Sequence, residues 1–327
     1  MIILLTGSTG FLGFRTLENL VKMPGVKKVV ATGRTLIKSR TIISPKVKYI
    51  LGDLTDLDFV DSLFEDIDIV INTASLSSPW GEKQLFIRSN VITQKNILKS
   101  AEKHKIDRFI YISTPSLYYN GEDRIMVKES DPLPENFVNS YSRTKRQAEV
   151  LLEKSNLNYI IIRPRAIIGR GDSVIMPRLI KTHSLGRLKI IGKGNNIVDL
   201  TSVENVVHSI ILSIKANKEA LNNIYNITDD CPVPLWECIN IVLKGIGMKQ
   251  VQKKINFKIA FFVAILFEFF SKYITKKEPS LTCYSVGILS KSFTLDITKA
   301  KNLLNYSPVV TTKESINEFI NWYNDES

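Results

Sequence analysis

The sequence predicts an α/β fold, a doubly wound parallel sheet with a smaller, interleaved C-terminal domain. Three observations lead there. Short runs rich in Ile, Val and Tyr alternate with amphipathic helical stretches through the first half, as successive βαβ units require. A glycine-rich turn, Thr6-Gly7-Ser8-Thr9-Gly10-Phe11-Leu12-Gly13, follows the first of these runs and opens a helix. The alternation then stops at Arg163-Pro164, where a stretch punctuated by Gly169, Gly171, Gly186, Gly192 and Gly194 begins.

In chain order, strands are expected at 2–6, 28–32, 48–51, 67–72, 108–113 and 159–163. Helices are expected between them at 11–22, 56–64, 90–104 and 141–155. Each strand is brief and apolar, which suits burial on both faces of a parallel sheet. The regular pattern resumes at 198–214 and 223–227, so the second domain is not simply appended. Residues 1–165 form the first domain, with 200–227 returning to it. Residues 166–199 and 228–327 form a substrate-binding cap beside the sheet's carboxyl edge.

With 327 residues, 44% of them hydrophobic, the chain can bury a sizeable core. Its formal charge is +12, but the lysines are dispersed and no aromatic-basic stripe accompanies them. That pattern argues against a nucleic-acid partner and favours an anionic cofactor or substrate. Cys231, Cys238 and Cys283 suit neither a disulfide framework nor a metal site, and His104, His183 and His208 are scattered. A reducing cytoplasm and no metal are expected. The chain opens on Ile2-Ile3-Leu4-Leu5 without a basic leader region, so no signal peptide is expected ahead of a mature Met1. In 255–274, nine uninterrupted apolar residues lie between Lys258 and Glu268. This falls short of the ~20 needed to span a bilayer. The favoured expectation is a buried or pocket-lining helix, with peripheral contact to the inner membrane face as the alternative.

In Gly7-x-x-Gly10-x-x-Gly13 the first glycine permits a tight turn. The second lets backbone amides approach a pyrophosphate, and the third lets helix and strand pack closely. The helix amino terminus adds oriented N–H donors, so Gly7, Ser8, Thr9, Gly10, Phe11, Leu12 and Gly13 form a Rossmann-type phosphate turn. The second strand runs into Arg34, where an acid would grip the ribose of NAD; a guanidinium there suits the 2′-phosphate of NADP. NADP is therefore expected, with NAD as the alternative and an exposed loop charge as the bland reading of Arg34. Asp53 can accept a hydrogen bond from the adenine amino group, with Leu54 against the ring. Equally, Asp53 can cap the helix that starts near Asp56.

Tyr141 and Lys145 stand one helical turn apart on one face. A phenol of ordinary pKa ~10 becomes a usable proton shuttle beside an ammonium group. Ser113 and Thr114 bring hydroxyls to the end of the fifth strand, where such sheets gather ligands.

With these motifs the chain resembles the extended short-chain dehydrogenase/reductase family from Met1 to about Tyr323. The resemblance rests on the glycine turn, Gly52-Asp53-Leu54, Asn72-Thr73-Ala74, Asn90-Val91, Ile112-Ser113-Thr114, Tyr141-x-x-x-Lys145 and Arg163-Pro164-Arg165. It implies that Tyr141 is the general acid/base and that Lys145 binds the ribose and lowers the tyrosine pKa. It implies that Thr114 orients the substrate oxygen, with Ser113 and Ser116 in reserve. Thr73, Ala74, Ser75, Asn90 and Pro164 join the implied cofactor contacts, and a homodimer through the helices near 90–104 and 141–155 is implied.

The segments Ser77-Ser78-Pro79-Trp80-Gly81, Arg163 to Asp172 and Val198 to Val207 are similar to one branch of the family. That branch holds 3β-hydroxysteroid dehydrogenases, sterol C4-decarboxylating dehydrogenases and β-keto-acid reductases. It implies hydride transfer at a secondary alcohol or ketone of a bulky apolar substrate. A nucleotide-sugar epimerase with tightly bound NAD is the nearest alternative, and a non-catalytic dinucleotide-binding protein is the next. Pro115 and Ser116 stand where dehydratases carry an acidic pair, which disfavours dehydration.

Overall fold

The structure, a computed structural model, describes residues 1–326. Its centre is a seven-stranded, wholly parallel sheet. We number its strands in chain order: β1 (Ile2–Thr6), β2 (Lys28–Thr32), β3 (Val47–Tyr49), β4 (Ile69–Asn72), β5 (Arg108–Ile112), β6 (Tyr159–Pro164) and β7 (Asn223–Ile227). In space the order is β3-β2-β1-β4-β5-β6-β7. The chain thus winds outward from β1 and then returns to β1's other side, leaving a crevice where β1 and β4 part.

The period-2 alternation of strand side chains supplies two cores. Ile3 and Leu5, with Val29, Ile71, Ile110 and Ile162, face the helices Phe11–Leu20 and Val203–Lys215. Leu4, Val30, Val70, Phe109 and Ile161 face the other way, against Leu57–Ser62, Thr93–Lys103 and Ser140–Glu153. A full set of apolar neighbours on both faces is what the unbroken Ile/Val runs encode. The predicted doubly wound fold is observed, with element ends moved by a few residues.

Above the carboxyl ends of the strands sits a second, four-stranded sheet. Its order is Val233–Pro234, Ile197–Val198, Phe293–Leu295 and Arg124–Val127. The last of these belongs to the first half of the chain, yet it pairs in parallel with Phe293–Leu295 near the C-terminus. Conversely, Ile297, Ala300 and Leu304 of the C-terminal segment pack into the core beneath the large sheet.

One expectation fails. The helix Phe257–Phe270 is not buried, because only Ala260 and Ala264 of its residues are. Its large apolar side chains, Phe262 and Phe269 among them, point outward. No helix among the described residues is long and apolar enough to cross a membrane.

Candidate active site

The glycine turn is fixed by close approach. Gly7 has φ +69°, and a Cβ there would lie 2.8 Å from the Ala74 nitrogen and 2.8 Å from Thr73 Oγ1. A Cβ on Gly13 would stand 2.1 Å from the Gly7 carbonyl oxygen, so the helix could not seat against the turn. Gly10 begins the Phe11–Leu20 helix, donating its own N–H to the Gly7 carbonyl at 2.9 Å. It brings no side chain to cap the helix, which leaves the first-turn amides for an anion. This cradle, filled by any Cβ, fits a dinucleotide pyrophosphate. Ser8 serves it from behind: its N–H and hydroxyl each donate to the Thr32 carbonyl at 3.1 Å.

Beyond β2 and β3 lie the groups expected around the adenosine. Arg34 is exposed. Asp53 is exposed too, and its Oδ1 accepts the Thr55 N–H at 2.9 Å. That hydrogen bond, with help from Arg88 and Arg34, holds its carboxyl below the usual range. The helix cap is Asp56, whose Oδ1 accepts from Asp58 and Phe59. Of the two readings of Asp53, capping is therefore removed. Leu54 is buried beside it.

The backbone after β4 is pinned by amides. Asn72 accepts the Thr6 hydroxyl at 2.6 Å and the Ala74 N–H at 3.1 Å, and donates to Gln94 at 2.6 Å. Thr73 donates its hydroxyl to the Thr6 carbonyl at 2.7 Å. Asn90, expected among the cofactor contacts, acts at one remove. Its Oδ1 accepts the Leu76 N–H at 2.7 Å, and its Nδ2 donates to the Leu76 carbonyl and to Thr144 Oγ1 at 3.0 Å. Buried in the π-helical turn Ile87–Ile92, it ties the loop carrying Ser75 and Ser77 to the helix carrying Tyr141. Pro164 closes β6, buried against β7.

The catalytic candidates meet above β5. Tyr141 lies in the first turn of the Ser140–Glu153 helix, which Asn139 caps by accepting the Ser142 N–H at 2.8 Å. Burial raises its phenol pKa, while the hydroxyls of Ser77, Thr114 and Ser75 pull it back. Thr114 opens the turn Pro115–Tyr118; its Oγ1 accepts the Ser116 N–H at 3.2 Å and donates to Ser116 Oγ at 3.0 Å. Ser116 Oγ in turn lies 2.9 Å from the Tyr284 hydroxyl. Of the three hydroxyls weighed in the sequence, Thr114 is the one beside the phenol. Ser113 Oγ is buried without a partner, and Ser116 leads away to Tyr284.

Lys145 is buried at the foot of the site. Its Nζ donates to the Ile112 carbonyl at 2.5 Å and sits 4.1 Å from the centroid of the Tyr111 ring. Hydroxyls, rather than an ammonium, supply the main counter-pull on Tyr141. Burial instead drags Lys145 down to about 7, against the raising influence of Glu149. A lysine whose pKa falls on folding binds its proton more weakly in the native state than in the unfolded chain. Its unfavourable contribution is full below about pH 7 and is relieved as the pH rises towards the unfolded value of 10.5. The stability of the native protein relative to Lys145→Met should therefore improve between pH 7 and 10. Urea titrations of both proteins across that range check this, and a flat difference would contradict it.

Beneath the site Glu149, fully buried, takes Arg163 in a two-point ion pair at 2.8 and 2.6 Å. Arg163 also donates to the Tyr118 hydroxyl, which donates to Asn226 at 3.1 Å.

Two further residues stand beside these groups, of which Tyr284 carried no motif. Tyr284 enters from the helix Cys283–Ser290 and meets Tyr119 edge-on at 5.6 Å. Arg165 is 6% exposed, its guanidinium 4.7 Å above the Phe293 ring. No carboxylate among the described residues lies within 4.0 Å of it, and its Nε has no partner. Burial lowers its pKa, opposed by neighbouring Tyr284, Asp199 and Tyr119. Arg165 was legible as part of a motif; its lack of a contacting carboxylate was not.

The family model described as "3-beta hydroxysteroid dehydrogenase/isomerase family" matches residues 4–259. The chain is 31% identical to the Candida albicans sterol-4-alpha-carboxylate 3-dehydrogenase, decarboxylating, over 99% of this chain and 98% of the relative. It is 28% identical to the 2-alkyl-3-oxoalkanoate reductase of Shewanella oneidensis, over 95% of this chain and 83% of the relative. In fold it is similar to a UDP-glucuronic acid 4-epimerase from Bacillus cereus solved with NAD, at TM-score 0.77 and 23% identity over 100% and 99% of the two chains.

Proposed function

This chain belongs to the 3-beta hydroxysteroid dehydrogenase/isomerase family of NAD(P)-dependent oxidoreductases, and from that premise we propose that it interconverts a ketone and a secondary alcohol on the carbon next to the one that bears a carboxylate, within an apolar skeleton. The names of the two relatives share one element of chemistry. A sterol-4-carboxylate oxidised at position 3 and a 2-alkyl-3-oxoalkanoate each place the reacting oxygen on the carbon next to the one that bears the carboxylate. The observation that carries the reading to this chain is Arg165, buried beside Tyr284 with no carboxylate in contact and Asp199 acting on it only from longer range. A buried charge whose nearest acid is out of contact is only partly compensated, so such a site gains from an anionic ligand that reaches it directly.

When bound, the nicotinamide ring supplies the hydride for reduction and accepts it in oxidation. Tyr141 gives its phenolic proton to the ketone oxygen as the neighbouring carbon is reduced, so C=O becomes C–OH and no net charge is left on the substrate. Burial keeps that phenol protonated at neutral pH, which suits the donor role. Thr114 turns its hydroxyl from Ser116 to the same oxygen, completing a pair of donors. Ser75 and Ser77, both exposed, connect the phenol to water for reprotonation. Arg165 holds the carboxylate and fixes the distance of the reacting carbon from Tyr141.

A long-chain 2-alkyl-3-hydroxy acid should be oxidised with a KM far below that of its methyl ester. Arg165→Met should raise KM for the acid by about 10- to 100-fold, the range of one or two charge-assisted hydrogen bonds, and leave the ester unchanged. Equal kinetics for acid and ester in the native enzyme would sink the carboxylate reading. The cofactor preference is proposed to be for NADP, supported by Arg34 at the end of β2. Arg34→Glu should weaken NADPH by about tenfold or more and leave NADH within about threefold. Fluorescence titration decides this, and parallel shifts for both cofactors would remove Arg34 from the pocket.

A further inference from the structure

The helix Phe257–Phe270 is built inside out. Its inward stripe is Ala260 and Ala264, 1% and 0% exposed, which pack with Ile191 and Val286. Small residues four apart let the backbone lie close to the cap. Its large side chains face away: Ile259 is 57% exposed, Phe262 61%, Ile265 47% and Phe269 54%, and Ile274 in the following turn is 64% exposed. An apolar stripe of this size marks a surface that something apolar covers.

Charge identifies the cover. Between 253 and 277 the chain carries six lysines, Lys253, Lys254, Lys258, Lys272, Lys276 and Lys277, all of them exposed. The single acid in that span, Glu268, is turned to the protein, where it accepts the Cys283 N–H at 2.8 Å. Aromatic and aliphatic side chains rimmed by unopposed lysines match an anionic lipid surface, where the chains enter the acyl boundary and the ammonium groups meet phosphates. A second copy of this chain would bring two lysine rims together, and like charges across an interface disfavour that pairing.

We propose that this helix, continued through Ile274, docks the protein on an anionic bilayer and lies in the plane of its interface. Glu268 links the docking helix directly to the start of Cys283–Ser290, whose Tyr284 meets Ser116 in the candidate active site. Docking therefore brings one wall of that site to the lipid. This last step rests on the apolar substrate proposed above, whereas the docking itself does not.

The full chain, mixed with vesicles of phosphatidylcholine alone or with about one third phosphatidylglycerol, is sedimented in low and high salt. The native protein should pellet with the anionic vesicles and largely stay in solution with the neutral ones, with the difference shrinking as salt rises. Phe262→Ser/Phe269→Ser should cut partitioning at least about tenfold and keep NADPH binding, which reports folding. Lys272→Glu/Lys276→Glu/Lys277→Glu should erase the preference for anionic vesicles. Native protein that stays in the supernatant with both vesicle types overturns the proposal. So does a native dimer that Phe262→Ser/Phe269→Ser converts to monomer, because the face would then be covered by a second copy. If docking holds but the vesicle-borne acid is not turned over, the substrate reading fails and the docking stands.

Discussion

Tyr141→Phe should lower kcat by roughly 10²- to 10⁴-fold, the range a positioned general acid contributes, while NADPH binds within about threefold of its native affinity. The phenyl ring keeps the packing of the Ser140–Glu153 helix, so the loss belongs to the proton. Other hydroxyls are close, and none replaces it. Thr114 is held by Ser116, and an aliphatic hydroxyl is a far weaker acid than a phenol. Tyr284 is also near, with its hydroxyl 2.9 Å from Ser116 Oγ. Single-turnover measurements with NADPH and ketone, followed at the nicotinamide absorbance, isolate the chemical step. Retention of most of the native rate would dismiss Tyr141 as the acid.

Glu149→Gln should cost about 3–5 kcal/mol of stability, because it leaves Arg163 charged and buried without its counter-ion. Burial alone would lower the Arg163 pKa; Glu149 and the Tyr118 hydroxyl more than reverse this. Removing the carboxylate therefore exposes the full desolvation cost of the guanidinium. Urea unfolding monitored by circular dichroism reads the change. The paired replacement Glu149→Leu/Arg163→Met should recover much of the loss, since two apolar side chains owe no desolvation penalty. If Glu149→Gln unfolds at the native urea midpoint, the pair carries no stabilising weight.

The parts of this molecule that were legible in the sequence are those where one residue type is required by its own backbone or chemistry. Gly7 and Gly13 are such places, since any Cβ would strike the Ala74 nitrogen or the Gly7 carbonyl. The Tyr141–Lys145 spacing and the apolar strands are others. What stayed hidden depends on which groups the fold brings together from afar. Tyr284 comes from a short apolar helix and reaches Ser116 across a sequence separation of 168 residues. Asp53 and Asp56 are equivalent as capping residues on paper; only backbone geometry gives the cap to Asp56. The helix Phe257–Phe270 misled for a physical reason: an element apolar all round carries no sign of which side the protein covers. The alanines at 260 and 264 were the one hint, a narrow stripe fit for close backbone packing.

The strand Arg124–Val127 has a mechanical meaning. Because it is stitched to Phe293–Leu295 above while β5 is locked in the large sheet below, the chain from Ser113 to Asp123 is a short tether strung between the two lobes. Thr114, Ser116 and Tyr118 sit on that tether. A rotation of the cap would therefore pull on the Thr114 hydroxyl beside Tyr141 and, through Tyr118, on the buried Arg163–Glu149 pair, so cap and sheet are mechanically coupled at this site.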